Sequence, residues 1–452
     1  MNIKSIGIKN IITIIFVIAI VFAFMIFSGA VKLGKDKKQT KGKVVVWGTI
    51  APNIMHQFID EISSDQLVVS YVRKNEDSYE EDLINAFAAG NGPDIFIMPH
   101  PYILRHVDKI FEIPYTSFPK EDFENKYIRE GRIFLGEKGV YALPLSVDPV
   151  VMYYNKQLIN SSFLVGVPRF WEEFAKFVKQ ITVKTEDGHI SLAGTALGTF
   201  DNIHNAKAIV SLLLQQNGNT IVETDPLTGL KKASLQGDDK QTEKAIQALK
   251  FYTSFRNRGA QNYSWNEAMI QDREKFISGE LAFYFGRASE IEKIRKKNPN
   301  LDFAVALVPQ LSETSLKSTF GTMQAVAIAK HTKNLPASMQ VASLLTGKDI
   351  AGRLAKAIFE VPARKDLLKK TPESNYLDVF YKSAIIANAW TDPSPKETHR
   401  IFRSLIRSLN AESLSPYEAL RKANSEIDLV LNRTINKILT NKLTDVKVET
   451  NF

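Results

Sequence analysis

Asp148 is the residue best placed for chemistry. It stands in the stretch 139–155 (GVYALPLSVDPVVMYYN), between Val147 and Pro149. A carboxylate there can accept hydrogen bonds from the hydroxyls or amines of a ligand, or it can cap the turn before Pro149. Aromatic rings offer a second kind of recognition, because an apolar face with a polar edge suits a sugar ring. Trp47 and Thr49 follow one apolar run, His100 follows another in Pro99-His100-Pro101-Tyr102, and Tyr284 and Arg287 close a third. The histidines at 56, 100, 106, 189, 204, 331 and 399 include no His-Glu-x-x-His and no close clustering with carboxylates, so no metal is expected. Nucleophile elbow, Gly-rich phosphate loop and Gly-x-Gly-x-x-Gly are all absent, so neither an enzyme nor a cofactor is expected.

The elements that must hold these residues alternate. Val44–Trp47, Leu67–Val72 and 94–98 are short apolar runs that read as strands. Between the first two, Ile54, Phe58 and Ile62 recur every four residues, as on one helix face. Between the last two, Ser78 and Glu81 have the spacing of a capping box, and Gly90 supplies a stop. This β-α-β-α-β order implies a parallel sheet with helices on both faces, and ligands in such sheets sit at the carboxyl ends of the strands. Pro144 and Pro149 argue against a central ladder strand in 139–155 and for a segment that crosses between two bodies. Helices are expected from Pro168, with Trp171 in the core, over 240–258, and over 267–277. Strands are expected at 281–285, 303–308 and 325–329, a loop or small hairpin at 217–240, and mainly helix beyond 335.

At 452 residues the chain exceeds one ordinary core and divides into lobes or domains. The net charge of +9 is concentrated at the start, where residues 1–43 hold eight lysines against Asp36. That distribution flanks an apolar segment and gives no basic patch for nucleic acid. With no cysteine there are no disulfides, no thiolate metal sites and no lipid on an N-terminal cysteine. From Asn10 to Val31 no residue is charged. At 1.5 Å per residue this stretch reaches about 33 Å, long enough to cross a bilayer. A cleaved signal peptide is the competing reading, since Ser28-Gly29-Ala30 resembles a cleavage site, but the run is longer than the usual h-region. An uncleaved anchor through residues 11–31 is therefore expected, with the body outside the cytoplasm because long domains are translocated largely regardless of flanking charge.

The order of segments resembles the bacterial extracellular solute-binding proteins typified by maltose- and other sugar-binding receptors of ABC importers. Four stretches carry the resemblance. Residues 88–95 (AAGNGPDI) look like the family's Gly-x-x-Pro-Asp turn and strand. Residues 139–158 are similar to its Tyr-Gly-Leu-Pro and Tyr-Asn-Lys signature, followed by Pro168–Phe174 as its Pro-x-Thr-Trp helix start. Residues 276–286 (FISGELAFYFG) and 361–366 (VPARKD) are similar to two later elements. Phe170 departs from the family's Thr, and Ala288 and Ser289 stand where many sugar binders place a tryptophan.

The resemblance implies an α/β, two-lobed, periplasmic-binding-protein-like (type II) fold, here with an N-terminal transmembrane helix. The first 31 residues would be the anchor and 32–43 a basic tether. Lobe 1 is expected over 44–147 and 302–347, lobe 2 over 148–301 and 348–445, with later crossings near 300–303 and 345–348. The partners would be a small solute, with a carbohydrate favoured, and the permease and ATPase subunits of an importer. Polyamine, glycerol phosphate and peptide stay open as ligands. Trp390 lies where the family often supplies a stacking ring. Paired tyrosines such as Tyr153-Tyr154 bind ferric ion in related proteins, but the Tyr-Asn-Lys motif accounts for one of them without metal. A surface hydrolase, and a membrane-tethered sensor or scaffold that kept the fold and lost solute binding, are the alternatives. Ligand contacts are expected at Trp47, Thr49, His100, Asp148, Tyr284, Arg287 and Trp390.

Overall fold

The computed structural model describes residues 42–449 except 163, 165, 226–228, 370, 371 and 373. The expected membrane span and most of the tether lie outside the described residues. Among the described residues no helix is long and apolar enough to cross a membrane.

The first strands follow the sequence closely. β1 (Gly42–Gly48), α1 (Pro52–Ile62), β2 (Leu67–Arg73), α2 (Tyr79–Ala88) and β3 (Ile95–Pro99) alternate. β1 pairs in parallel with both β2 and β3. On α1 the residues Met55, Phe58, Ile59 and Ile62 are buried, the face that the four-residue spacing marked. The capping box does not form. Ser78 precedes α2 in a helical backbone conformation, with no side-chain cap bond, whereas a capping side chain needs an extended residue to reach the free N–H groups.

One long strand joins the two halves. β4 (Ala142–Asn155) pairs antiparallel through its first half with the strand 319–328 and through its second half with Leu281–Arg287. The prolines therefore sit inside a central ladder, contrary to the sequence expectation. Their missing N–H groups cost little where they fall. Pro144 lies beside the register shift at Gln324/Ala325, and Pro149 is the last residue paired before β4 changes partners.

α3 (Trp171–Ile181), β5 (Ile190–Thr195), α4 (Ala206–Gln216) and α5 (Asp239–Ser254) follow. The expected hairpin is present, with Val222–Thr224 antiparallel to Lys231–Ala233. The helix expected over 267–277 is confined to Asp272–Ile277. β6 (Leu281–Arg287) leads into α6 (Glu290–Lys297), β7 (Phe303–Ala306) and β8 (Thr319–Ile328). Next come α7 (Leu335–Leu345), α8 (Lys348–Ala357), β9 (Val361–Pro362), α9 (Asn375–Ile385), β10 (Ala387–Asn388), α10 (Pro395–Asn410) and α11 (Pro416–Glu449).

The main sheet has eleven strands, with β2-β1-β3-β8-β4-β6-β5 along its path and the short strand Val183–Lys184 at its end. β7 and β9 pair with β4, and β10 with β8. The later passages differ from those expected. β7 pairs with the second half of β4, so the crossing falls on β8 and not near 300–303. α8 packs on α1, β9 pairs with the first half of β4, and Ala363 and Lys365 bond to residues 124–128, so no passage falls at 345–348.

Candidate functional site

The two halves share their backbone at the junction of β4 and β8, and period-2 alternation decides which side chains meet there. Asp148 opposes Thr322, and Ser146 opposes Gln324, so these four lie on one polar face. Leu145, Val147 and Met323 are fully buried on the other face. On the far edge of β4, Val361 and Pro362 oppose Val147 and Ser146. Continuing that register sets Glu360 beside Asp148, and the Ser146 hydroxyl donates to the Glu360 carboxylate.

Arg287 arrives from β6. Its Nη1 donates to Thr322 Oγ1, and its charge acts on Asp148, Glu130, Glu360 and His100. The turn that carries it is tightly held. Its backbone N–H donates to Glu290 Oε1 (2.9 Å), and its carbonyl accepts from the Tyr153 hydroxyl (2.7 Å). That bond engages the hydroxyl of Tyr153, which is fully buried. Asp148, 7% exposed, accepts from Ser289 N–H (2.9 Å) and Ser289 Oγ (2.6 Å). It thus secures the start of α6 and not the turn before Pro149. Burial pushes its carboxyl up, while Arg287 and the Ser289 bonds pull it down.

Trp47 and Thr49 are half-buried at the carboxyl end of β1. Lys74 Nζ stands 3.7 Å above the Trp47 ring, a cation–π contact that occupies one of its faces. Tyr79 ties the ends of β1 and β3 together by donating to the carbonyls of Trp47 (3.1 Å) and Ile97 (2.9 Å).

Three expected contacts are sealed inside the lobes. His100 is 1% exposed, and its Nδ1 accepts from Met323 N–H (3.1 Å). Burial, then Arg287 and Lys207, depress its pKa to about 3, so the ring is neutral. Tyr284 is fully buried and donates to Glu290. It is three residues from Arg287 on one strand, so the two point to opposite faces and cannot both reach a cleft. Trp390 is 5% exposed, stacks on Phe402 with centroids 6.1 Å apart, and donates to Ser211 Oγ (3.2 Å). Trp171 is in the core as expected. Trp265, which the sequence left without a role, is also buried, with Nε1 on Asn202.

Residues that sequence reasoning missed complete the junction. Lys207 pairs with Asp392 beneath Trp390. Burial lowers its pKa while Asp392 raises it. Glu130 is 3% exposed, and neither carboxylate oxygen has a hydrogen-bond partner. Burial pushes it up to about 8. It lies under the apolar face of the crossing strands, where a Cβ on Gly321 would fall 2.4 Å from Glu130 Oε2 and 2.9 Å from Val147, so only glycine fits there. Alternation from Asp148 could have found Ser146. No local signal marks Glu130, Lys207 or Glu360.

A cavity of about 820 Å³ in the second lobe, lined by Leu249, Arg256, Tyr263 and Asn410 among others, shares no residue with this polar face. The convergence of Asp148, Glu360, Thr322 and Arg287 where both halves meet makes the junction the better site. Carboxylates and a guanidinium there can accept from and donate to a polyhydroxylated or amine-bearing molecule.

Comparison with known proteins gives the same fold. The chain is similar to a cyclo/maltodextrin-binding protein in complex with maltotetraose, at a TM-score of 0.70 and 17% identity over 86% of this chain and 98% of that one. It is similar also to the cyclic alpha-maltosyl-1,6-maltose binding protein of Arthrobacter globiformis, at 0.70 and 16% over 86% and 99%. In sequence it is 21% identical over 414 residues to the maltotriose-binding protein of Pyrococcus abyssi, covering 88% of this chain and 82% of that protein. Residues 65–351 match the profile of the bacterial extracellular solute-binding proteins, and the chain belongs to that family.

Proposed function

We propose that this chain is the substrate-binding protein of an ABC importer, working outside the cytoplasm and enclosing a saccharide between its lobes by hinge closure. One observation carries the reading: the polar face of Ser146, Asp148, Thr322 and Gln324, with Arg287 above it, lies on the strands shared by both lobes. A ligand seated there touches both lobes at once, and contacts available only in the closed arrangement drive closure. The sugar-binding relatives favour a saccharide among polyhydroxylated molecules. The missing nucleophile and phosphate motifs favour reversible capture without turnover, and a separate permease and ATPase would complete transport. Membrane attachment through residues 11–31 rests on the uncharged run from Asn10 to Val31.

Thermal shift with maltotriose, maltotetraose and galactooligosaccharides tests this. At least one should raise Tm, because a ligand specific for the folded state stabilises it. Arg287→Ala should abolish the rise. No response to any saccharide overturns the reading. Protease digestion of intact cells should degrade the body and leave a membrane-bound stub, and a fully shed body overturns the anchor.

A further inference from the structure

We infer that the saccharide held in this cleft carries a basic nitrogen, and that Glu360 together with Asp148 reads it. The inference rests on the saccharide reading above and goes beyond it by naming the ligand's charge.

The geometry starts from the ladder. Val361 and Pro362 pair with Val147 and Ser146, so Glu360 flanks Asp148 on one edge while Thr322 flanks it on the other. Side chains opposed on neighbouring antiparallel strands stand about 5 Å apart, and like charges at that spacing repel. Each carboxylate has one protein partner that is already committed. Ser289 donates twice to Asp148, and Ser146 donates to Glu360. These bonds leave lone pairs on both carboxylates for a ligand donor.

With both carboxyls ionised, the charges around the pair do not cancel. Arg287 is the cation that acts on both carboxylates, and it directs Nη1 to Thr322. Glu76 adds a further negative field on Glu360. The other cations nearby are matched within their own lobes: Lys207 with Asp392, Arg105 with Glu80, Lys74 with Asp82. Burial and then Asp148 push the Glu360 carboxyl up to about 8, so around a neutral sugar Glu360 keeps its proton at neutral pH. An ammonium group on the ligand takes the place of that proton, lets both carboxylates ionise and makes charge-assisted bonds to both.

The test is titration calorimetry on the full chain with three probes: a glucosamine tetramer, its fully N-acetylated counterpart, and maltotetraose. The amine-bearing tetramer should bind at least about tenfold tighter than either neutral sugar, equivalent to about 1.4 kcal/mol. Glu360→Gln should bring the ratio of amine to neutral affinity close to one. Asp148→Asn, with its fold checked by Tm, should lower the same ratio. Equal or tighter binding of the neutral sugars overturns the inference, and so does a preference that survives Glu360→Gln. If none of the three probes nor any other saccharide binds, the saccharide reading itself fails.

Discussion

The guanidinium of Arg105, in the segment after β3, donates to the carbonyl oxygen of Pro393, just ahead of α10, at 3.1 Å. A side chain of the first lobe thereby holds backbone of the second. Arg105 also pairs with Glu80, which His106 approaches at 3.2 Å. Contact between lobes is therefore made at the rim as well as at the shared strands, where Arg287 meets Thr322.

Arg105→Ala should weaken ligand affinity by about tenfold, the value of one hydrogen bond to a charged donor. Closure rewards both the ligand and the rim contact, so removing the latter shifts the equilibrium toward the open form. Small-angle scattering of the ligand-free variant should give a larger radius of gyration. An unchanged Kd would show that the contact contributes nothing to closure.

Two buried titrating groups predict how stability follows pH. The folded pKa of His100, about 3, lies below its ordinary 6.5, so its contribution is complete above pH 6.5 and is lost as pH falls toward 3. That of Glu130, about 8, lies above its ordinary 4.5, so its contribution is complete below pH 4.5 and is lost as pH rises toward 8. Glu130→Gln removes the second effect. The variant should gain stability over the parent between pH 5 and pH 8, on the order of a few kcal/mol, read from urea midpoints. Equal gains at both pH values would disprove the assignment.

Asn155 ends β4 and caps the next turn, accepting from the N–H groups of Gln157 (3.0 Å) and Leu158 (3.3 Å) while donating to the Gly279 carbonyl (3.3 Å). Asn155→Ala should cost about 1–2 kcal/mol of stability with little change in Kd, because the side chain faces away from the cleft. Denaturant unfolding with parallel calorimetry separates the two.

Phe359 follows α8 at a φ of 59°, and its side chain is 37% exposed. It occupies a helix-ending position where glycine is usual, since the left-handed region costs a side chain about 1–2 kcal/mol. Phe359→Gly should raise Tm by an amount equivalent to about 1 kcal/mol. A lower Tm would mean that the ring makes contacts worth more than the strain.

Tyr284 and Arg287 give a paired comparison. Tyr284→Phe removes a bond to Glu290 inside the second lobe. It should cost about 1 kcal/mol of stability and leave affinity for a bound saccharide within about twofold. Arg287→Ala should instead abolish affinity, and it should lower Tm as well because it removes the counter-charge of buried Asp148 and Glu360. Equal losses of affinity in both would show that the strand does not divide its two faces in this way.

The alternation of strands and helices in the first lobe and the amphipathic face of α1 were legible in the sequence. Each depends on residues a few positions apart, and the periods of 2 and 3.6 write such neighbours into the chain directly. The place of Asp148 in a crossing segment was expected from Pro144 and Pro149 instead, and both prolines turn out to lie inside the ladder. Glu360 beside Asp148 was not legible, because Ser146 and Glu360 are 214 residues apart and only ladder register joins β9 to β4. Trp390 shows the limit from the other side. Its type suits a sugar, but α4 and α10 pack over it, and burial is a property of the assembled lobe. Local order thus determined which elements form and which residues share a face. The tertiary structure alone decided which faces meet and which rings are covered, because pairing between distant strands is fixed by shape and register and not by spacing along the chain.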